Sequence, residues 1–248
     1  MKLPVLTLYI ALFSIGTTFG QWDNHLELSH KITTETKNIT GFDKIEVGED
    51  FEVFIKFSDK AESVKIEANE NLHDYIIVKK EGNTLKIDTK SYNTGNYRSK
   101  KRGAQERLVA YVTAKNLTAI EGEEDVVFEL DDKLVANTLN IKLDEDCTLR
   151  GVIEVQNLMV DLDEDSVLDI EGTAHKMELE ANEDSMVKNY DFVVHDLTVR
   201  LREDSEARLT VNGTVDLRAS GDSQFYYKGN GKVVKQRLTG DAEMKHWN

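Results

Sequence analysis

Apolar residues recur two positions apart along much of the chain, and the pattern repeats in blocks of about twenty residues between Leu139 and Asp222. In each block, apolar residues stand seven, five and three positions before an aspartate and again three positions after it. A spacing of two is the period of a β-strand rather than of a helix. The positions predicted to face inward are, column by column, Leu139, Leu158, Met177, Leu197, Val215 and Val234; Ile141, Val160, Leu179, Val199 and Leu217; Leu143, Leu162, Ala181, Leu201, Ala219 and Leu238; and Leu149, Leu168, Val187, Ala207 and Phe225.

The corner between the two apolar groups of each block repeats as well. Successive corner aspartates lie 19, 19, 20, 18 and 19 residues apart. A fixed period of this size indicates a solenoid, in which each coil buries its apolar face by stacking on its neighbours. The pattern predicts an all-β parallel β-helix of about nine or ten coils, with about 19–21 residues in each coil. The corners are Glu145-Asp146, Glu164-Asp165, Glu183-Asp184, Glu203-Asp204, Gly221-Asp222 and Gly240-Asp241.

The same register is weaker in the N-terminal half of the chain. Residues Glu81 to Asn83 have the composition of a hairpin turn, so we expect antiparallel strands to cap this end and to protect its open strand edges. The coils predicted here lie around Ile45, Val47 and Val53; around Val64, Ile66 and Ala68; from Leu85 and Ile87 onward; and around Ile120 and Phe128.

The first twenty residues, MKLPVLTLYIALFSIGTTFG, have a positive start, a short apolar run and small residues at the end. These are the features of a secretory signal peptide, and no later stretch approaches the length of a transmembrane helix. The predicted domains are a signal peptide at 1–20, a polar lead-in at 21–40 and a single β-helix domain at 41–248 with an inserted basic loop at 91–107. Such a protein is expected in the periplasm, at the cell surface or outside the cell.

The chain is acidic, and this limits its partners. Among its 248 residues, 46 are Asp or Glu and 31 are Lys or Arg, which gives a formal net charge of −15. Nucleic acids and anionic membranes are polyanions, so the composition disfavours both as partners. The one cysteine, Cys147, stands in the column that reads Ser166, Ser185, Ser205 and Ser223 in later coils, which indicates a small buried residue rather than a reactive thiol.

The basic loop SYNTGNYRSKKRGAQER contrasts with this acidic background. Loops inserted into repeat scaffolds often form binding surfaces. The loop is either a solvated excursion without a ligand or a surface that binds an anionic polysaccharide. In the second interpretation the binding residues are Tyr92, Tyr97, Arg98, Lys100, Lys101, Arg102 and Arg107.

The acidic column at the corners needs a physical explanation. Carboxylates stacked about 4.8 Å apart repel by about 0.9 kcal/mol per pair even in bulk water. One interpretation is that each aspartate accepts hydrogen bonds from backbone amides of its turn while the glutamate faces water. The alternative is a row of oxygen ligands for Ca²⁺, formed by Asp146, Asp165, Asp184 and Asp204.

His175 and His195 share another column, nine residues before the corner aspartate. We expect the two imidazoles to stack about 4.8 Å apart, because this is the spacing of neighbouring strands. Asn116, Asn137 and Gln156 stand in the same column of earlier coils. The pair is therefore either part of a polar ladder at a corner or two ligands of a metal site.

Several phrases of the chain resemble a known family. GFDKIEV and DFEV, the later SVKIEANENLHDYI and GNTLKIDTK, and the repeated acidic or Gly-Asp-Ser corners resemble the DUF2807 family, described as auto-transporter adhesins with a head GIN domain and common in Bacteroidetes. The similarity spans about Ile39 to Leu238. It implies a single-stranded, right-handed β-helix in an exported protein. The Glu-Asp corners of the middle coils depart from the Gly-rich corners usual in the family.

Two classes of function fit these observations. The first is a non-catalytic exported or cell-surface module, an adhesin that binds a glycan or a protein. The second is a polysaccharide-degrading, pectinase-like enzyme, which rests on analogy of fold alone. The chain has no GxSxG, HExxH, P-loop or dinucleotide-binding glycine pattern, so no catalytic residue is assigned. Apart from Ca²⁺ at the acidic column, no cofactor is predicted.

Overall fold

The computed structural model describes residues 25–93 and 104–247, and these form a β-solenoid of about seven turns. The predicted parallel β-helix is confirmed, although nine or ten coils were too many. Within the described residues there is no α-helix, and no helix could cross a membrane. The predicted signal peptide lies outside them. The strands are β1 (Ile32–Lys37), β2 (Lys44–Gly48), β3 (Glu52–Phe57), β4 (Ser63–Asn69), β5 (Ile76–Glu81), β6 (Thr84–Thr89), β7 (Leu108–Ala114), β8 (Ala119–Glu123), β9 (Val127–Leu130), β10 (Leu134–Asp144), β11 (Thr148–Leu162), β12 (Val167–Ala181), β13 (Met186–Val187), β14 (Phe192–Leu201), β15 (Glu206–Val211), β16 (Thr214–Ala219), β17 (Gln224–Lys228), β18 (Lys232–Leu238) and β19 (Glu243–His246).

Parallel strands stack into three faces around one apolar core. Face 1 carries, in stacking order, β6, β2, β8, β10, β11, β12, β14, β16 and β18. Face 2 carries β7, β3, β9, β11, β12, β13, β15, β17 and β19. A shorter face 3 joins parts of β10, β11, β12, β14 and β15. The longest strands, β11 and β12, bend at the corners and contribute to all three faces.

The register aligns equivalent positions of successive coils, so like residues stack. Leu162 lies opposite Leu143 on one side and Ala181 on the other, and all three are buried. Burying one leucine side chain contributes about 1.5–3 kcal/mol, which makes these columns the main source of stability. All the predicted inward residues of the C-terminal columns are buried except Val234 and Leu238.

Val234 corrects the predicted column because 58% of its surface is exposed. The register shifts here: Val233 lies opposite Val215, and Lys235 lies opposite Asp216. The extra residue of this bulge turns Val234 outward. Leu238, at the end of the same strand, is partly buried.

The N-terminal end is capped by antiparallel strands, as predicted, but the coils differ from those expected. The segment Val64 to Ala68 does not form a parallel coil, because β4 pairs antiparallel with both β1 and β7. Leu85 and Ile87 do stack on Ile45 and Val47, but β6 pairs with the edge of β2 that faces away from β8. Alternation fixes which side chains face inward, but it does not fix the direction or the neighbour of a strand.

Two further features of this end follow from the same pairing. The hairpin turn predicted at Glu81 to Asn83 is confirmed, since β5 and β6 pair antiparallel on either side of it. The polar lead-in predicted at 21–40 contains β1, which lies on the edge of the cap next to β4. The cap therefore begins before residue 41.

Both residues of the corners Glu145-Asp146, Glu164-Asp165 and Glu183-Asp184 adopt the left-handed backbone conformation, whereas only Glu203 does so at Glu203-Asp204. In the coil at Glu164, φ is 44° for Glu164 and 59° for Asp165, and in later coils Gly221 and Gly240 take the glutamate position with φ of 75° and 73°. A non-glycine residue in this conformation costs about 1–2 kcal/mol. The corner amides are used along the stack, because Asp165 N donates to the Glu183 carbonyl at 2.9 Å.

This geometry corrects the predicted capping role of the aspartates. Across residues 25–93 and 104–247, no hydrogen bond is formed by the side chains of Asp146, Asp165, Asp184 or Asp204. The turn amides bond to backbone carbonyls instead: Asp146 N and Asp165 N donate to the next coil, whereas Ser185 N donates to Asn182 O within its own turn. A fully buried Ser or Cys147 stands directly after every corner from Glu145-Asp146 to Gly221-Asp222, and burial raises the pKa of the Cys147 thiol to about 11. The expected small buried cysteine is thus confirmed.

Candidate functional site

Three arginines stack on the outside of face 1 near the C-terminal end of the solenoid. Arg200 of β14 lies opposite Arg218 of β16, which lies opposite Arg237 of β18. We call these three residues the arginine ladder. Neighbouring strands are about 4.8 Å apart, so the ladder presents a row of guanidinium groups along the stack.

The alternation of side chains along each strand determines that the ladder arginines point outward. Each arginine stands four residues before a corner aspartate, between two inward positions such as Val199 and Leu201, and so it must point outward. In the three preceding coils the same column reads Lys142, Asp161 and Glu180. The column therefore changes from acidic to basic between β12 and β14.

The three arginines differ in their partners. Arg200 Nη1 lies 3.1 Å from Glu178 Oε1 and 2.7 Å from Glu180 Oε1, and the hydrogen bond to Glu178 is the main cause of its raised pKa. Arg218 and Arg237 are exposed. In the part of the chain that the structure describes, neither of their side chains makes an ion pair or a hydrogen bond. Their charges are therefore available to a ligand.

A groove of about 280 Å³ runs along the ladder. Arg202 adds a fourth guanidinium, held by a hydrogen bond of 3.2 Å from its Nη1 to Asn182 Oδ1. The lining contains no carboxylate, although the chain as a whole has a net charge of −15. The residues that line the groove are Arg200, Leu201, Arg202, Arg218, Ala219, Ser220, Arg237 and Thr239.

The groove has the chemistry of an anion site. Two unit charges about 4.8 Å apart repel by about 0.9 kcal/mol in bulk water, so an anion between Arg218 and Arg237 would offset an unfavourable contact. Guanidinium groups bind carboxylate, sulfate and phosphate through paired N–H donors in a fixed geometry. The site lies on the strands of a stacked scaffold, so its spacing is set by the fold.

Of the residues predicted to bind through the basic loop, the structure describes Tyr92 and Arg107. The Tyr92 hydroxyl donates to Glu106, and burial raises the pKa of Tyr92. Arg107 Nε lies 3.0 Å from Glu67 Oε1, and its Nη1 lies 3.4 Å from Glu52 Oε2. Both side chains therefore anchor the base of the loop. The other predicted loop residues, Tyr97, Arg98, Lys100, Lys101 and Arg102, lie outside the described residues.

The acidic column lies along the corner between faces 1 and 2. Asp146, Asp165, Asp184 and Asp204 are all exposed. The pKa of Glu164 is raised, first by partial desolvation and then by its neighbours Glu145 and Glu183 in the adjacent coils. Like charges of the adjacent coils thus contribute to the raised pKa of Glu164, after desolvation. Calcium binding by the four aspartates remains a prediction.

The predicted histidine stack is confirmed. The ring centroids of His175 and His195 lie 4.9 Å apart, with 27° between the ring planes. Asp196 lies beside them, with its Oδ2 3.2 Å from His195 Nδ1. The hydrogen bond from Thr214 is the main cause of the lowered pKa of Asp196, about 2, so this carboxylate is ionised at neutral pH.

The sequence interpretation missed the arginine ladder and Asp196, although a signal for both was present. The outward column four residues before each corner aspartate contains the ladder, and aligning outward as well as inward positions of the coils makes it visible. Asp196 follows His195 directly, but its carboxylate is held by a contact with Thr214 in the next coil. That contact becomes visible only when the register is known.

Comparison with known proteins adds a family and a fold. A family model described as "Putative auto-transporter adhesin, head GIN domain" matches residues 41–231, and no curated protein matches the chain. A crystal structure described as a putative adhesin from Bacteroides fragilis aligns with a TM-score of 0.76 at 17% identity, covering 89% of this chain and 98% of that one.

Two further solved structures have the same fold. One, described as a putative lipid binding protein from Parabacteroides distasonis, aligns with a TM-score of 0.67 at 18% identity and covers 90% of this chain and 100% of that one. The other, described as a putative adhesin from Parabacteroides merdae, has a TM-score of 0.66 at 16% identity, with 91% and 100% covered. At these identities the alignments establish the fold alone.

Proposed function

Because this chain belongs to the DUF2807 family, we propose that it is a non-catalytic, adhesin-like module that is exported and binds an anionic glycan along the arginine ladder. Export rests on the signal peptide predicted at 1–20 and agrees with the adhesin description of the family. The ladder supplies a binding chemistry that the family description does not name.

One observation carries the proposal. Arg218 and Arg237 are exposed neighbours in adjacent coils, without a carboxylate partner among the described residues, and they line a groove with Arg202. Surface arginines of an acidic protein usually have a nearby carboxylate, as Arg150 has in Glu129 at 2.8 Å. Arg218 and Arg237 depart from this arrangement within the part of the chain that the structure describes.

A polymer of uronic acids or sulfated sugars fits the ladder better than a single small anion does. Such a glycan carries negative groups at regular intervals, and a parallel stack presents positive groups at regular intervals of about 4.8 Å. Several weak contacts along one chain add up, since the second contact is made at a high effective concentration. The basic loop at 91–107 is a second proposed contact for the same class of ligand.

Retention on immobilised heparin, polygalacturonate and neutral dextran tests this function. We expect the wild-type chain to be retained on at least one anionic column, to elute with salt and to pass through dextran. The variant Arg218→Gln, Arg237→Gln should elute much earlier. The control Arg150→Gln, Arg208→Gln makes the same change of charge on face 2 and should elute as the wild type does.

Three results would contradict the proposal. They are equal retention of the ladder variant and the wild type, binding to anionic lipid vesicles with no binding to any glycan, and release of unsaturated sugar products from polygalacturonate or heparin. The last result would favour the enzyme alternative. Export is tested separately by determining the N-terminal residue of the protein recovered outside the cytoplasm.

A further inference from the structure

We propose that His175, His195 and Asp196 form a binding site for one divalent late transition metal ion such as Zn²⁺, through two imidazoles and one carboxylate. Across residues 25–93 and 104–247, this is the one group of three or more His, Cys, Asp or Glu residues whose ligand atoms lie close enough to share an ion. The proposal is independent of the arginine ladder, because the two histidines lie at the corner between faces 3 and 1, whereas the ladder lies on the outside of face 1.

The distances suit such an ion. The candidate ligand atoms of the three residues all lie within 4.8 Å of one another, and His195 Nδ1 is 3.2 Å from Asp196 Oδ2. Zinc bonds of about 2.1 Å in a tetrahedral site place neighbouring ligand atoms about 3.4 Å apart. The His195–Asp196 pair already has this spacing. Both histidines are exposed, so a small rotation of the His175 ring can bring in the third ligand.

The carboxylate is held in place by a residue of the next coil. Asp196 Oδ1 accepts hydrogen bonds from Thr214 N at 3.0 Å and from Thr214 Oγ1 at 2.6 Å. This leaves Oδ2, the oxygen nearer His195, for the ion. Hydrogen bonds of this kind orient the ligands of metal sites and contribute strongly to affinity.

The next coil also makes room for the second imidazole. Gly213 stands in the histidine column, and a Cβ there would lie 2.6 Å from His195 Nδ1 and 2.6 Å from the His195 carbonyl oxygen. A side chain at 213 would therefore clash with both the ring and the backbone of His195 and force the ring out of its present position. Glycine follows the two histidines at the coil where the site needs this space.

The set of ligands selects the class of metal. Imidazole suits zinc, copper and nickel, whereas calcium and magnesium prefer oxygen ligands. Three protein ligands leave a fourth position for water or for a group of a bound partner. The alternative is a polar ladder without an ion, which the residues Asn116, Asn137 and Gln156 represent in the earlier coils.

Calorimetric titration with ZnCl₂ distinguishes a metal site from a polar ladder without an ion. The titration uses the untagged chain without its predicted signal peptide, in chelator-treated buffer. We expect saturable binding close to one ion per chain. His175→Gln and His195→Asn each introduce a residue type already present in the same column, so the fold should be retained. Each variant, and Asp196→Asn, should weaken Zn²⁺ binding at least about tenfold.

The control variant is His30→Asn, which removes an exposed histidine outside the group and should bind as the wild type does. Melting curves of all variants show whether each is folded. The proposal is overturned if the wild type shows no saturable Zn²⁺ binding, or if folded His195→Asn binds Zn²⁺ as tightly as the wild type. Competition by equimolar CaCl₂ would contradict the assigned class of metal.

Discussion

Arg218 lies directly opposite Arg237 in the parallel register of β16 and β18, and both side chains are exposed on the outside of the sheet. Neither is paired with a carboxylate of the described residues, whereas the neighbouring Arg200 contacts both Glu178 and Glu180. The fold thus holds two positive charges side by side on a chain with a net charge of −15. This arrangement is unfavourable by itself and becomes favourable when an anion lies between the two groups.

The first prediction concerns the cost of this contact. Arg218→Gln removes the middle charge of the ladder. At low ionic strength it should raise the free energy of unfolding by less than about 1 kcal/mol, and the melting temperature should rise slightly. Sulfate should stabilise the wild type more than it stabilises the variant, because the wild type also gains a bound anion. Calorimetric melts in Na₂SO₄ and NaCl at equal ionic strength measure the difference. Equal gains would show that sulfate acts only through general exclusion from the surface.

The second prediction concerns the inward columns. Leu162 is completely buried between Leu143 and Ala181, so Leu162→Asn should cost about 3–5 kcal/mol through lost packing and an unpaired polar group. The matched change Met159→Asn lies on the same strand, where Met159 is 46% exposed, and should cost much less. Urea unfolding measures the loss of unfolding free energy in each of the two variants. Similar losses would contradict the assignment of inward and outward positions.

Much of this architecture could be predicted from the sequence, because strand alternation and a fixed period identify the inward columns directly. The direction of β4 and the bulge at Val234 could not be predicted in this way. Both depend on which strand becomes the neighbour, and that is decided by packing at the ends of the solenoid. The arginine ladder follows from the register once outward columns are aligned as well. The contact between Asp196 and Thr214 requires the folded register.

The third prediction separates the base of the basic loop from its charged residues. Arg107→Gln should lower stability by about 1 kcal/mol or less, because Arg107 joins Glu67 and Glu52 at a partly exposed position. Replacing Arg98, Lys100, Lys101 and Arg102 with Gln should leave the melting temperature unchanged and reduce retention on heparin. If retention stays the same, the loop is not a contact for anionic glycans.

The fourth prediction concerns pH. The pKa of Glu164 is raised above its usual 4.5 in the folded protein. Between the unfolded-state and the folded-state pKa, the folded state therefore holds a proton that the unfolded state has released. Its contribution to stability is present below about pH 4.5 and is lost as pH rises through the folded-state pKa. Glu164→Gln should therefore melt at a higher temperature than the wild type at pH 7, with a difference that disappears in acid.

Melting curves of Glu164→Gln and the wild type at several pH values measure this effect. Glu171→Gln is the control, because its exposed carboxylate lies outside the acidic column. A gain from Glu164→Gln that is constant with pH would show that charge repulsion along the column is not its cause.

The fifth prediction concerns Ca²⁺ at the acidic column. The corner aspartates are exposed and their side chains make no hydrogen bond within the described residues, so millimolar Ca²⁺ should shift the melting temperature no more than Mg²⁺ does at equal ionic strength. A specific site would instead add about 2.7 kcal/mol at a hundredfold excess over Kd. The variant Asp165→Asn, Asp184→Asn would then lose the shift. A rise that is selective for Ca²⁺ and absent from this variant would establish the calcium site.

The binding of an anionic glycan by Arg218 and Arg237 is tested most directly by calorimetric titration with size-defined heparin and oligogalacturonate fragments at two NaCl concentrations. The wild type should bind one of these fragments saturably and more weakly at the higher salt concentration. Arg218→Gln, Arg237→Gln should bind at least about tenfold more weakly, since each lost charge-assisted hydrogen bond is worth about 1.5–3 kcal/mol. The control Arg150→Gln, Arg208→Gln should keep the wild-type Kd. An unchanged Kd in the folded ladder variant would contradict the assignment of the site.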